Sequence, residues 1–182
     1  MAEKITRLNR ELVKKGAIID YYQDEVLIPN GHHDKWDFIN HKGAAACVAV
    51  LDDGRLIMVR QYRNALDRET IEIPAGGLNP GEPTIEAAAR ELHEETGYIA
   101  GKIEPLISIY TTVAFCNEKI DIYLATELKK GEAEPDEDEY VDIVLLEPDE
   151  LVKMIFEGKI MDSKTVGAIL AYSEYILDTP HD

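Results

Sequence analysis

Between Gly76 and Tyr98 the chain reads GGLNPGEPTIEAAARELHEETGY, a loop carrying glycine and proline that feeds one helix. Thr84, after Pro83, is the expected N-cap, and Gly97 is the expected stop. At about 100° per residue, positions 91, 94 and 95 fall within roughly a third of the helix circumference, so Glu91, Glu94 and Glu95 converge on one side. Ile85, Ala88, Ala89 and Leu92 recur at helical spacing and predict a narrow apolar stripe toward the core, with the glutamates facing elsewhere. Glu86 with Arg90, and Arg90 with Glu94, stand four residues apart, as helix ion pairs do.

Three carboxylates at positions i, i+3 and i+4 form a hard-oxygen ligand set of the kind preferred by Mg²⁺ and Mn²⁺. A backbone carbonyl at the end of the preceding strand, near Ala75, adds a further oxygen. Such a set suits metal-assisted attack of water on phosphorus. Acidic helix faces are common, so the cluster alone is weak evidence. The charge balance sharpens it: the formal net charge is −17 over 182 residues. No clustered Lys and Arg are present to attract nucleic acid or an anionic membrane, and an anionic substrate would need local neutralisation by cations.

No run approaches the 18 or so apolar residues of a membrane span, and MAEKITRLNRELVKKG has no signal-like apolar core. Cys47 and Cys116 have no ligand-like spacing. A cytoplasmic location is the expectation.

Along the chain, Gly16 to Ile28 is rich in β-branched and aromatic residues and ends at the turn Pro29-Asn30-Gly31, after which Lys35 to His41 would return as a second strand. Residues 1–15 are a fraying arm or a first strand. With so little apolar content, residues 1–42 would pack on the main domain or on a second subunit. Ala44 to Leu51 predicts a strand covered on both faces, and Asp52-Asp53-Gly54 turns it into Arg55 to Gln61. Thr70 to Pro74 delivers the chain to Ala75. Ile99 to Tyr110, Lys119 to Thr126 and Val141 to Leu146 predict further strands, with a polar loop over Glu127 to Tyr140. Pro148 to Glu157 and Ser163 to Leu177 predict terminal helices. The expected fold is an α/β or α+β sandwich around a mixed sheet, with a β-rich N-terminal segment (1–42) and a main domain (43–182).

The full spacing is more informative than the glutamates alone. Gly76, five residues, Glu82, seven residues, then Arg90-Glu91-Leu92-x-Glu94-Glu95-x-Gly97-Tyr98 resembles the signature of the Nudix hydrolases at every defined position; Tyr98 stands in a slot that is usually aliphatic. A chance match is on the order of 10⁻⁸ per starting point. The resemblance implies an α/β/α sandwich and hydrolysis of a nucleoside diphosphate linked to another moiety. Metal would be held by Ala75, Glu91, Glu94 and Glu95, while Arg90 orients the glutamates and Glu82 supports the loop or the metal shell.

Outside the signature, IPAGG, RQYR (Arg60–Arg63), YTTVAFCNEKIDIYLATEL, PDEDEYVDI and MDSKTVGAILAY resemble the ADP-ribose pyrophosphatase branch, whose N-terminal segment helps form a domain-swapped homodimer. The resemblance implies that Arg63 binds the diphosphate, Glu118 contacts the terminal ribose, and Glu137 or Glu139 activates or positions the attacking water. With Glu94 and Arg90, these loop glutamates complete the expected catalytic group.

Two departures concern specificity. Thr111-Thr112-Val113-Ala114-Phe115 stands where the branch has Ser/Thr-x-Pro-Gly-Phe, and Val-Ala does not fix a turn as Pro-Gly does. Trp36 stands where the branch commonly has an arginine, and its indole offers a flat face to a nucleobase or packs at a subunit interface. Of the remaining candidates, His32-His33 reads as a solvated turn, His93 as a surface residue, and Cys116 has no base partner that would make it a nucleophile. The expected function is Mg²⁺- or Mn²⁺-dependent hydrolysis of ADP-ribose, to AMP and ribose 5-phosphate, or of a related nucleoside diphosphate sugar. The competing expectations are a Nudix enzyme for a UDP-sugar or dinucleotide, and a nucleotide-sugar sensor without catalysis.

Overall fold

Residues 4–131 and 140–178 are described by the structure, a computed structural model. They fall into two units, Met1–Gly43 with Tyr110–Lys119, and Ala44–Ile109 with Ile120–Asp182.

In the first unit, β1 (Thr6–Lys15), β2 (Asp20–Leu27) and β3 (His33–Asn40) form an antiparallel sheet in that order. The N-terminal arm is therefore a full strand. Register shifts between Arg7 and Asn9, and between Leu12 and Lys14, break the strict alternation of β1. Arg10 crosses to Asp24, with Nε and Nη2 each 2.6 Å from a carboxylate oxygen, and its guanidinium lies 3.5 Å from the centre of the Phe38 ring. This pair gives a sheet with few apolar residues a partly buried anchor. Ile5, Leu8, Leu12, Val13, Ile18 and Ile19 all remain exposed, as expected of a segment too poor in apolar residues to make its own core. Residues Tyr110–Lys119 join this unit through Ile39, whose amide donates to the Phe115 carbonyl at 2.7 Å.

The second unit is built on β4 (Ala44–Val50), whose first six residues are buried. β5 (Leu56–Arg63), β6 (Arg68–Glu72) and β7 (Ala75–Gly77) follow, then α1 (Thr84–Thr96), β8 (Tyr98–Ile99), β9 (Lys102–Tyr110), β10 (Lys119–Thr126) and β11 (Lys129–Lys130). β12 (Val141–Leu146), α2 (Pro148–Phe156) and α3 (Ser163–Asp178) close the chain. The main sheet runs β12-β5-β4-β10-β9, with β6 on β5 and β7 on β4. β10 lies parallel to β4, whereas β5 and β7 pair with β4 antiparallel, so the sheet is mixed as expected.

The period-2 alternation of β4 sorts the core into two layers. Ala45, Cys47 and Ala49 meet Ala87, Ala88 and Leu92 of α1. Ala44, Ala46 and Val48 meet Leu151 of α2 and Ala168, Ile169 and Tyr172 of α3. The second unit is thus an α/β/α sandwich, and the small side chains of β4 let α1 approach the sheet closely.

Three local expectations are corrected. The helical stripe is centred on Ala87, Ala88 and Leu92, while Ile85 is exposed. Thr84 is the first helical residue and gives no side-chain cap, because Pro83 takes the cap position and the Thr84 hydroxyl instead meets the Tyr123 hydroxyl at 2.7 Å. The polar stretch after Thr126 contains β11, paired with β8.

Candidate active site

Two of the three glutamates on α1 do not face away from the core. Glu91 and Glu95 are buried, 6% and 4% exposed, and only Glu94 is partly open. Leu92 packs against alanines of β4, and positions 91 and 95 lie on one side of it, about 100° and 60° round the helix and between Leu92 and Ala87, so both are carried toward β7. The backbone there is shaped to receive them. A Cβ on Gly76 would lie 2.1 Å from the carboxyl carbon of Glu91, so the glycine leaves the space that this carboxylate fills. Glu95 accepts the Ala75 amide at 3.1 Å, fixing the peptide at the strand end.

Burying a carboxylate requires compensation, and Arg90 supplies it for Glu91. Its Nε and Nη2 donate to the two oxygens of Glu82 at 2.8 and 3.0 Å. Its Nη1 lies 2.7 Å from both Glu91 Oε1 and Glu94 Oε2. Nη2 also donates to the Gly77 carbonyl at 3.1 Å. One planar fork therefore ties the loop, the strand end and two turns of helix together, which the single ammonium point charge of a lysine does not do. Hydrogen bonds from Arg90 and the Asn79 amide hold Glu82 at about 2, well below its ordinary range. The hydrogen bond to Glu82, followed by those to Glu94 and Glu91, raises the Arg90 guanidinium further against the opposing effect of burial.

The chemistry of this donor set fits a divalent metal: hard carboxylate oxygens on α1 beside the Ala75 strand end. Among the described residues no three His, Cys, Asp or Glu side chains stand in a ready-made coordination cluster. In this arrangement Arg90 Nη1 holds the position between Glu91 and Glu94.

A second group of side chains lies on β5 and β6, also in the second unit. Arg63 grips Glu72 with both ends of its fork, Nε to Oε1 at 2.8 Å and Nη2 to Oε2 at 2.6 Å. Glu72 is 2% exposed and also takes the Thr70 hydroxyl at 2.6 Å and the Lys164 ammonium. Burial alone would push this carboxyl up; the hydrogen bond from Arg63, the charge and hydrogen bond of Lys164 and the Thr70 hydroxyl together hold it at about 2. Sequence reading missed Glu72, Asp162 and Lys164. The signal was present in IEIPAGG and MDSKT, but two segments 92 residues apart in sequence say nothing by themselves about meeting.

Glu118 and Trp36 lie in the first unit. Glu118 accepts the Thr111 hydroxyl at 2.7 Å and lies 3.4 Å from His41 Nδ1. Trp36, Tyr21, Lys35, Asp37, Ile39, Ala114 and Phe115 line a recess of about 630 Å³. The Trp36 indole nitrogen donates to Asp34 at 3.2 Å, and the Tyr21 hydroxyl to Asp37 at 2.8 Å. The loop without Pro-Gly still closes a turn, because the Thr112 carbonyl accepts the amides of both Phe115 and Cys116. Glu137 and Glu139 lie outside the described residues. Burial pushes the Cys47 thiol up and keeps it protonated.

Comparison with known proteins agrees with this geometry. The NUDIX domain model matches residues 40–165. The chain is 40% identical over 162 residues to the ADP-ribose pyrophosphatase of Bacillus subtilis (strain 168), covering 88% of each. It is 42% identical over 164 residues to the methanol dehydrogenase activator of Bacillus methanolicus, covering 89% of each. The crystal structure of an ADP compounds hydrolase shares the fold with a TM-score of 0.86 at 24% identity, covering 96% of this chain and 95% of that one. A glycine that makes room for the buried Glu91, and an arginine that binds this glutamate and two others of the same signature, account for that spacing, and with a domain match over residues 40–165 they make this chain a member of the Nudix hydrolase family.

Proposed function

We propose that the protein hydrolyses the diphosphate bond of ADP-ribose, giving AMP and ribose 5-phosphate. The carboxylates of α1, oriented by Arg90 beside the strand end at Ala75, carry the reaction class. The similarity to a protein named ADP-ribose pyrophosphatase, over 88% of both chains, favours the substrate.

Glu91, Glu94, Glu95 and the Ala75 carbonyl would hold Mg²⁺ or Mn²⁺. Such a cation, when bound, neutralises charge on the diphosphate and favours ionisation of water at neutral pH. Arg63 binds the diphosphate oxygens through the part of its guanidinium that Glu72 does not occupy. Glu137 or Glu139 takes the proton of the attacking water, and a carboxylate in that role contributes about 10²–10⁴ in rate. Glu118, restrained by Thr111, receives a hydroxyl of the terminal ribose. Trp36 stacks on the adenine from the recess it lines with Phe115 and Ile39. The exposed apolar residues of β1 favour a homodimer through the N-terminal segment, with residues 1–42 as the dimerisation region and 43–182 as the hydrolase domain. A cytoplasmic location is part of this reading; among the described residues no helix is long and apolar enough to cross a membrane.

The test is a panel of ADP-ribose, UDP-sugars and dinucleotides, assayed with Mg²⁺ or Mn²⁺ for the wild type and for Glu91→Gln. Turnover of ADP-ribose above the others, lost by orders of magnitude in the variant, supports the proposal. Preference for another member of the panel reassigns the substrate. Binding without turnover in the wild type identifies a sensor.

A further inference from the structure

The guanidinium of Arg63 has two faces to account for. Its side chain is 40% exposed, yet Nε and Nη2 are spent on Glu72 in a bidentate pair. An arginine that merely met a diphosphate from solution would not need a buried carboxylate behind it.

The carboxylate is in turn clamped from a distant part of the chain. Lys164, itself buried, donates to Glu72 and, at 2.9 Å, to Asp162. The Asp162 side chain accepts the Thr165 amide at 3.1 Å and the Thr165 hydroxyl at 2.7 Å, which makes it the N-cap of α3. The Thr165 hydroxyl lies 3.1 Å from the Ile73 amide and receives its hydrogen bond. The first turn of α3 is therefore fastened to the strand end at two adjacent residues, 72 and 73. On the strand side, the Thr70 hydroxyl fixes the other oxygen of Glu72 at 2.6 Å.

This arrangement costs more than a simple core contact. Burying an ion pair gives little or no net stability compared with well-packed apolar residues. Its value lies in geometry, because a bidentate pair allows the fork one plane and one direction.

We propose that Glu72 is a positioning residue for substrate binding: held by Lys164 and Thr70, it fixes Arg63 in the one orientation in which the fork receives the diphosphate, so that the N-terminus of α3 belongs to the recognition apparatus. The inference rests on Arg63 being the diphosphate-binding arginine of the proposed function. The chemical class recognised is a diphosphate ester, and the role is one of ground-state binding.

The experiment is a double-mutant cycle with Glu72→Gln and Arg63→Ala, measuring KM and kcat for ADP-ribose, with melting curves and circular dichroism to confirm folding. Glu72→Gln raises KM by about tenfold while kcat changes by less than about threefold, the pattern of lost binding common to ground and transition states. Arg63→Ala raises KM at least as much, and the double variant is no worse than Arg63→Ala alone. Arg63→Lys, which keeps the charge and loses the fork, matches Glu72→Gln. Should Glu72→Gln fail to fold, Thr70→Val, which removes one hydrogen bond to Glu72, decides the point with an expected threefold to fivefold rise in KM of about the same character. An unchanged KM in Arg63→Ala overturns the reading of Arg63 and this inference with it. A raised KM in Arg63→Ala together with an unaltered KM in Glu72→Gln or Thr70→Val, or a Glu72→Gln effect that persists in the Arg63→Ala background, overturns the positioning role alone.

Discussion

Gly76 and Gly77 are adjacent and chemically identical, yet they face different constraints. A methyl at 76 would overlap the Glu91 carboxylate, whereas a methyl at 77 meets no atom within 4 Å. Gly76→Ala should displace Glu91 by about an ångström and lower kcat by about 10²-fold, the usual cost of such a misplacement. Gly77→Ala should retain activity within a few-fold, and steady-state kinetics on the pair checks both. The spacing in sequence marks both glycines as loop residues; only the approach of α1 to β7 distinguishes them. Trp36 is the other residue to test singly. Stacking on a base is worth about 1–3 kcal/mol, so Trp36→Ala should raise KM by about tenfold or more with kcat little changed. An unaltered KM would leave the indole a packing residue of the first unit.

At the scale of the element, α1 is set by both ends and by one face. Gly97 closes it in the left-handed region, at φ 73°, with its amide 2.7 Å from the His93 carbonyl. Gly97→Ala should cost roughly 1–2 kcal/mol and lower the melting temperature by several degrees, with KM unchanged in the folded enzyme. The C-terminal stop was legible because few residues other than glycine tolerate that conformation. The start was misread: Thr84 has the chemistry of an N-cap, but its hydroxyl is engaged by Tyr123 from β10, a contact no local rule contains. The expectation that all three glutamates face away from the core failed for a similar reason. Helical periodicity gives relative angles among side chains, while the absolute rotation of α1 is set by the alanines of β4 and by Gly76.

For the molecule as a whole, Glu72 links stability to pH. Its carboxyl is held at about 2 in the fold against an ordinary 4.5, so its contribution is complete above pH 4.5 and is lost as pH falls toward 2. The amount is about 3 kcal/mol by linkage. Thermal melts between pH 6 and pH 2 should show that part of the acid destabilisation disappearing in Glu72→Gln, whose melting temperature is correspondingly lower at neutral pH. The homodimer is tested by sedimentation: the 20.4 kDa chain should run at about twice its mass, and a monomer at micromolar concentration would remove the role assigned to residues 1–42.

The sequence alone determined the family, because the signature that carries it, from Gly76 through Glu82 and Arg90 to Gly97, is a set of short fixed intervals within one loop and one helix. It also determined most strands and helices, since alternation and helical periodicity are short-range patterns. Only the tertiary structure decided which glutamates are buried, why Gly76 differs from Gly77, and that Glu72, Lys164 and Asp162 converge behind Arg63. Those facts depend on how a helix is rotated against a sheet and on contacts between residues about 90 positions apart, and neither is encoded in any one stretch of chain.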